Sequence, residues 1–202
     1  MHAVIFDIDG TLLQSAAIDD ELYRQAVRHL LPDAHIRTAI SDYDYVSDSG
    51  ILTQVFADNG IAADDDLAEA VQSRFVELLD AHIERSGAFP EIPGALDYLQ
   101  HHIESSDHAV AYATGGWRAS ARLKLKAAGF DGLDVPLATA DDAMDRKDIM
   151  LTALSHLGES FRSITYYGDG PWDKDSSEQL GWDFVPVGPQ LGGLESYQSL
   201  IR

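Results

Sequence analysis

Five short runs rich in β-branched and aromatic residues, Ala3–Phe6, Ala109–Ala113, Val135–Ala138, Ser163–Tyr167 and Phe184–Val187, punctuate the 202-residue chain, with helix-like sequence before each later run. Strands that alternate with helices are joined by crossovers, so this order predicts a parallel sheet. The runs are nearly continuously apolar, as strands covered by helices on both faces must be. Stop signals support the intervening helices. Pro93-Gly94 opens one that carries Ala95, Leu96 and Leu99; Gly129 ends Trp117 to Ala128, Gly158 ends Lys147 to Leu157, and Gly181 ends Ser176 to Leu180.

The interval after the first run breaks this rhythm, because it reads as helices alone. Asp19 to Leu31 aligns Leu22, Ala26, Val27 and Leu30 on one face, and Leu67 to Arg85 aligns Leu67, Val71, Phe75, Leu78 and His82. The expected fold is therefore α/β, a Rossmann-like parallel-sheet core with an inserted all-helical cap domain. Residues 1–12 and 90–202 would form the core and 13–89 the cap, with hinges near Leu12–Ser15 and Gly87–Pro93, where glycine and two prolines cluster.

Composition narrows the partners. Lys+Arg 14 against Asp+Glu 34 gives a formal charge of -20, a field that repels nucleic acid and acidic membrane surfaces, and no basic patch offsets it. With no cysteine, neither disulfides nor thiolate metal sites are available. The N-terminus lacks a signal-peptide pattern and no segment is apolar enough to span a bilayer, so a soluble, cytoplasmic protein is expected.

The ends of the runs carry the chemistry. Asp7 and Asp9 stand where the first run gives out, at a spacing that points both side chains the same way in extended backbone, and Gly10 permits a turn away. In open α/β sheets the binding crevice lies beyond the carboxyl ends of the strands. The second run ends in Thr114-Gly115-Gly116, a hydroxyl and two glycines at a helix start, where free N–H groups favour phosphate. The fourth ends in Gly168-Asp169-Gly170-Pro171-Trp172-Asp173, and its carboxylates with Asp7 make an oxygen-rich site suited to Mg²⁺. Arg146 and Lys147 place cations ahead of a helix, where a phosphate's charge needs screening.

These segments, in this order, resemble the haloacid dehalogenase-like hydrolase superfamily. Asp7 to Thr11 matches its Asp-x-Asp-Gly-Thr motif, Thr114 its strand-ending Thr or Ser, and Gly168 to Asp173 its Gly-Asp-x-x-x-Asp motif. Ile92-Pro93-Gly94-Ala95 looks like the return from cap to core, and the helical insertion looks like a type-1 cap. The resemblance implies that Asp7 attacks phosphorus and ligates Mg²⁺, that Asp9 is general acid and then base with its carbonyl on the metal, and that Thr114 and Gly115 hold the phosphoryl group. It further implies that Asp169 and Asp173 complete the metal site. The family's Lys motif departs from pattern here: no proline follows, and either Arg146 or Lys147 could serve, with the Arg146-Lys147-Asp148-Ile149 order and bidentate geometry favouring Arg146.

An acid at Asp9 favours an oxygen leaving group over halide. The expected function is Mg²⁺-dependent hydrolysis of a small phosphorylated metabolite, with a phosphomutase of the β-phosphoglucomutase kind as the alternative; a receiver-like signalling domain and an idle binding protein fit less well. In the cap, the polar stretch Asp42 to Gly50 offers Ser47 and Asp48 as substrate-facing residues, or as helix caps. Arg24 and Arg28 could meet an anion but read more simply as a solvated face, as His101-His102 does at a helix end. Substrate and oligomeric state are not written in these patterns.

Overall fold

The protein is described by a computed structural model covering residues 1–158 and 160–201. Strands β1 (His2–Phe6), β2 (His108–Ala113), β3 (Leu137–Ala138), β4 (Ser163–Gly168) and β5 (Asp183–Pro186) form one parallel sheet in the order β3-β2-β1-β4-β5. Central β1 sets Phe6 opposite Tyr112 on one side and Tyr167 on the other, so the ends of β1, β2 and β4 open at one level. The strand order reverses direction at β1, which puts the crevice beside its carboxyl end.

The uninterrupted apolar character of β1 reflects burial on both faces. Val4 and Phe6 enter a core with Leu99 of helix α4 (Ala95–Glu104) and Ala121 and Leu125 of α5 (Arg118–Ala127), while Ile5 packs with Ile149, Met150 and Ala153 of α6 (Arg146–His156). Ile5 and Phe6 are fully buried, each contributing roughly 1.5–3 kcal/mol. Strand β3 is shorter than the expected Val135–Ala138 because Pro136 has no N–H for a ladder, and only its carbonyl pairs, accepting from the Tyr112 amide at 2.8 Å. Helix α7 (Pro171–Leu180) begins earlier than the expected Ser176, with proline in its first turn and a buried face made of Asp173, Ser176 and Ser177, which carries no apolar signal.

Between β1 and α4 lie helices α1 (Ala16–Leu30), α2 (Asp48–Asp58) and α3 (Asp65–Ser86) and a 3₁₀ turn at Ile40–Asp42. Leu22 and Val27 of α1 share a core with Val71, Phe75 and Leu79 of α3. The chain leaves and re-enters this layer side by side, Gln14 donating to the Pro90 carbonyl at 2.9 Å and Ile92 to that of Leu12 at 2.8 Å. Tyr23 and Phe75 meet Trp117 at the start of α5, with ring centroids 5.5 and 6.0 Å away.

The histidine pair differs from expectation. His101 is exposed, but His102 is buried because it continues the apolar face Ala95, Tyr98, Leu99. Its Nδ1 lies 2.8 Å from that of His108, and burial lowers its pKa to about 4. Among the described residues no helix is long and apolar enough to cross a membrane.

Candidate active site

The first strand hands its carboxylates to a turn rather than to more strand. The Asp7 amide still donates to the Tyr167 carbonyl at 2.9 Å, but the Ile8 carbonyl then accepts from Thr11, Leu12 and Leu13 at 3.3, 2.9 and 3.0 Å. Gly10 makes this turn with φ +77°, and a Cβ there would lie 2.1 Å from Asp169 Oδ2. The Asp7 and Asp9 side chains consequently part. Both line one cavity, yet Asp7 sits on its floor beside Asp169 and Asp173, whereas Asp9 accepts hydrogen bonds from Lys124 and Ser15.

Asp7, Asp169 and Asp173 each present a carboxylate oxygen within 4.8 Å of the others. Asp173 is fully buried and held by the Gly170 amide at 3.1 Å, a contact made close by the absence of a Cβ at Gly168. Asp7 Oδ1 is buried without a hydrogen-bond partner. Burial pushes the Asp7 carboxyl well up, against the pull of Arg146 and with the help of Asp173 and Asp169; burial and Asp173 bring Asp169 up to about 7. Crowded hard oxygens with raised affinity for protons, one of them making no hydrogen bond, fit a divalent cation such as Mg²⁺. The carboxylate of Asp9 stands outside this group, so only its carbonyl is left for the metal role that the family resemblance implies.

Of the two expected cations the structure brings in Arg146. Its guanidinium is 8% exposed, with Nη1 3.5 Å from Asp7 Oδ1, Nε 3.4 Å from Asp173 Oδ1 and Nη2 3.3 Å from the Val46 carbonyl. Burial works to lower its pKa, and Asp173 and Asp7 more than reverse this. A Cβ on Gly115 would lie 2.6 Å from Nη2, so that glycine makes the close approach possible. Lys147, about 100° further round α6, points elsewhere. Its Nζ reaches Gln179 Oε1 at 3.4 Å and it does not line the cavity.

Thr114 extends β2 by one bond to the Ala138 carbonyl, 3.1 Å, and lines the cavity with Gly115 and Gly116. Its Oγ1 accepts from the Gly116 amide at 3.2 Å. The next two amides are already occupied: Trp117 donates to Asp48 Oδ2 at 2.9 Å and Arg118 to Asp141 Oδ2 at 2.6 Å. Ser47 and Asp48 thus face the cavity while binding the layers together, since Ser47 Oγ donates to the Met144 carbonyl at 2.7 Å and the Asp48 amide to that of Gly115 at 2.7 Å. Ser47 also caps α2, accepting from the Gly50 amide at 3.2 Å. Arg24 lines the cavity too, and Arg28 does not.

Sequence reasoning missed Lys124 and Asp19. Lys124 is fully buried, and its ammonium donates to both Asp9 oxygens at 2.7 and 2.6 Å and to Asp19 Oδ1 at 2.5 Å. Burial favours the neutral amine, but the Asp19 and Asp9 carboxylates outweigh it and hold Lys124 charged. The signal was present: Lys124 falls in the apolar stripe Ala121, Lys124, Leu125, Ala128, where a lysine needs a buried acid to accompany it.

The cavity enclosed by these groups has a volume of about 320 Å³. The sequence model of haloacid dehalogenase-like hydrolases matches residues 1–181. The chain belongs to that family. Among solved structures, this haloacid dehalogenase-like hydrolase is similar to a hydrolase from Pseudomonas syringae, with TM-score 0.71 and 21% identity over 92% of this chain and 84% of that one. It is similar to β-phosphoglucomutase from Clostridium difficile, with TM-score 0.69 and 18% identity over 98% and 86%. CbbY from Rhodobacter sphaeroides in complex with phosphate gives TM-score 0.65 and 18% identity over 98% and 96%. A search of curated proteins finds no match. At such identities the likenesses bear on the fold, while the hydrolase family rests on the sequence match. What this hydrolase offers chemically is a buried carboxylate with an arginine beside it, a second carboxylate held by lysine, and a threonine hydroxyl flanked by two glycines.

Proposed function

We propose that this hydrolase is a Mg²⁺-dependent phosphatase that removes phosphate from a small metabolite through a phospho-aspartate on Asp7. Residues 1–12 and 90–202 act as the catalytic core and 13–89 as the cap that covers the site and excludes bulk water. The observation that carries this reading is Asp7 Oδ1, buried in the cavity without a hydrogen bond and ion-paired with Arg146 Nη1 across 3.5 Å. The family membership and a phosphate-bound neighbour agree with it.

Asp7, Asp169 and Asp173, with the Asp9 carbonyl, would hold the metal, which supplies positive charge between an anionic nucleophile and an anionic substrate. An Asp7 oxygen forms a bond to phosphorus while the bond from phosphorus to the ester oxygen breaks, and Asp9 delivers a proton to that oxygen. Thr114 Oγ and the Gly115 amide hold the transferring group, and Arg146 offsets its charge. Asp9 then takes a proton from the water that attacks phosphorus, the Asp7–phosphorus bond breaks, and phosphate leaves. Lys124 Nζ donates to both Asp9 oxygens and so orients this carboxyl towards the site.

A mutase reading draws on the likeness to β-phosphoglucomutase, in which case the phosphoryl group on Asp7 would return to a sugar instead of to water. A panel of phosphate monoesters assayed with Mg²⁺, with chelator and with Asp7→Asn tests the proposal. Phosphate release that requires both Mg²⁺ and Asp7 supports it. Full activity in the variant or indifference to chelator contradicts it, and activity only with a bisphosphate activator would favour the mutase.

A further inference from the structure

Resting on the phosphatase reading, we infer that the leaving group accepted here carries no negative charge of its own: the substrate is the phosphate monoester of a neutral or cationic molecule bearing hydroxyl or amine groups. The core end of the cavity is marked by Asp7 Oδ1 and Arg146 Nη1, both buried, paired with each other across 3.5 Å and making no hydrogen bond. It runs from that core end towards a wall from α1, the 3₁₀ turn with the loop before it, and α2, which presents Asp19, Asp20, Asp48 and Thr38 among the apolar Ile40 and Ile51.

Among the described residues that line it the cations are Arg24 and Arg146. Arg146 belongs to the phosphoryl end, beside Asp7. Arg24 is engaged: Nε donates to both Asp20 oxygens at 2.9 Å, Nη1 to the Arg37 carbonyl at 2.8 Å and Nη2 to the Thr38 carbonyl at 3.1 Å. Lys124, just behind the wall, has its three donors committed to Asp9 and Asp19. The acids are not similarly balanced. Arg24 pairs with Asp20 alone, Asp9 and Asp19 share one lysine, and Asp48 accepts from a neutral amide rather than a cation.

A second phosphate or a carboxylate on the substrate would therefore reach a wall of acidic side chains with no uncommitted cation to meet it. Hydroxyl and ammonium donors would instead find acceptors. The lack of an uncommitted cation for a second phosphate also disfavours chemistry that holds a doubly phosphorylated sugar, which separates the hydrolase from the mutase on charge.

The test compares kcat/KM of the Mg²⁺-loaded enzyme for three esters of one chain length: 2-hydroxyethyl phosphate, 2-aminoethyl phosphate and phosphoglycolate. The first two are expected to exceed the third by at least about tenfold. Asp20→Asn removes the main partner of Arg24, and it should raise the phosphoglycolate to 2-hydroxyethyl phosphate ratio several-fold. Phosphoglycolate turned over as well as the hydroxyl ester, or a ratio unmoved by Asp20→Asn, overturns the inference while leaving the phosphatase reading intact. No turnover of any ester fails the phosphatase reading itself, and this inference with it.

Discussion

Lys124 Nζ lies 2.7 and 2.6 Å from the two carboxylate oxygens of Asp9, joining helix α5 to the loop after β1 across a separation of 115 residues. Through its bond to Asp19 on α1, the same ammonium ties both to the helical layer. Removing one partner of a buried charge group leaves the others uncompensated. Lys124→Met should therefore cost about 3–5 kcal/mol in denaturant unfolding. Adding Asp19→Asn should recover part of that loss, because burial and Asp9 already push the Asp19 carboxyl up to about 7 against Lys124. A single-variant cost below about 1 kcal/mol would mean that the contact is only a solvated surface pair.

Gly10→Ala tests the turn. The new Cβ would lie 2.1 Å from Asp169 Oδ2 at a residue with φ +77°, so both the backbone and the carboxylate must move. The backbone strain alone is about 1–3 kcal/mol. Mg²⁺ affinity, followed by calorimetry, is expected to fall at least about tenfold while the circular dichroism of the fold persists. Unchanged affinity would separate Asp169 from the metal.

Arg146 and Lys147 are neighbours with different surroundings. Arg146→Lys replaces a fork that reaches Asp7 and Asp173 with a point charge, and kcat/KM is expected to drop about a hundredfold. Lys147→Ala, at a side chain facing Gln179, should change activity by less than about twofold and stability by less than about 0.5 kcal/mol. The reverse ranking in steady-state assays would reassign the cation.

The carboxylate floor sets a pH dependence. Asp169, at about 7, has a folded pKa above its unfolded value, so its contribution is fully present below pH 4 and is lost as pH rises through 7. Mg²⁺ held as proposed would compete with protons for the ionised form. The stabilisation gained from Mg²⁺ in thermal melts should thus grow from pH 5 to pH 8. Taking the difference with and without metal at each pH cancels His102, whose lowered pKa acts in the opposite sense. A metal increment that is flat, or larger at pH 5, would speak against these ligands.

Much of the fold was legible because β1, β2 and β4 are short apolar runs buried on both faces, a pattern with few alternative structures. Strand β3 and the start of α7 were harder to read, since Pro136 interrupts one ladder and the buried face of α7 is polar. At the site, Asp7, Thr114 and Asp169 stand at strand ends, where topology alone predicts convergence. Asp9 diverged from extended-strand geometry because the chain turns at Ile8. Lys124 depends on a packing partner that spacing does not reveal, although its place in the α5 stripe hinted at one. His102 was misread for the same reason, a polar side chain on an apolar face.

The proposed catalysis is covalent and passes through Asp7. Rapid acid quench of the enzyme mixed with Mg²⁺ and a turned-over phosphate ester, followed by peptide mapping, tests it most directly. Phosphate on Asp7 during turnover, absent without substrate and absent in Asp7→Asn, is the result expected. Phosphate release in the steady state with Asp7 unmodified at every quench time, and sustained by Asp7→Asn, would contradict it.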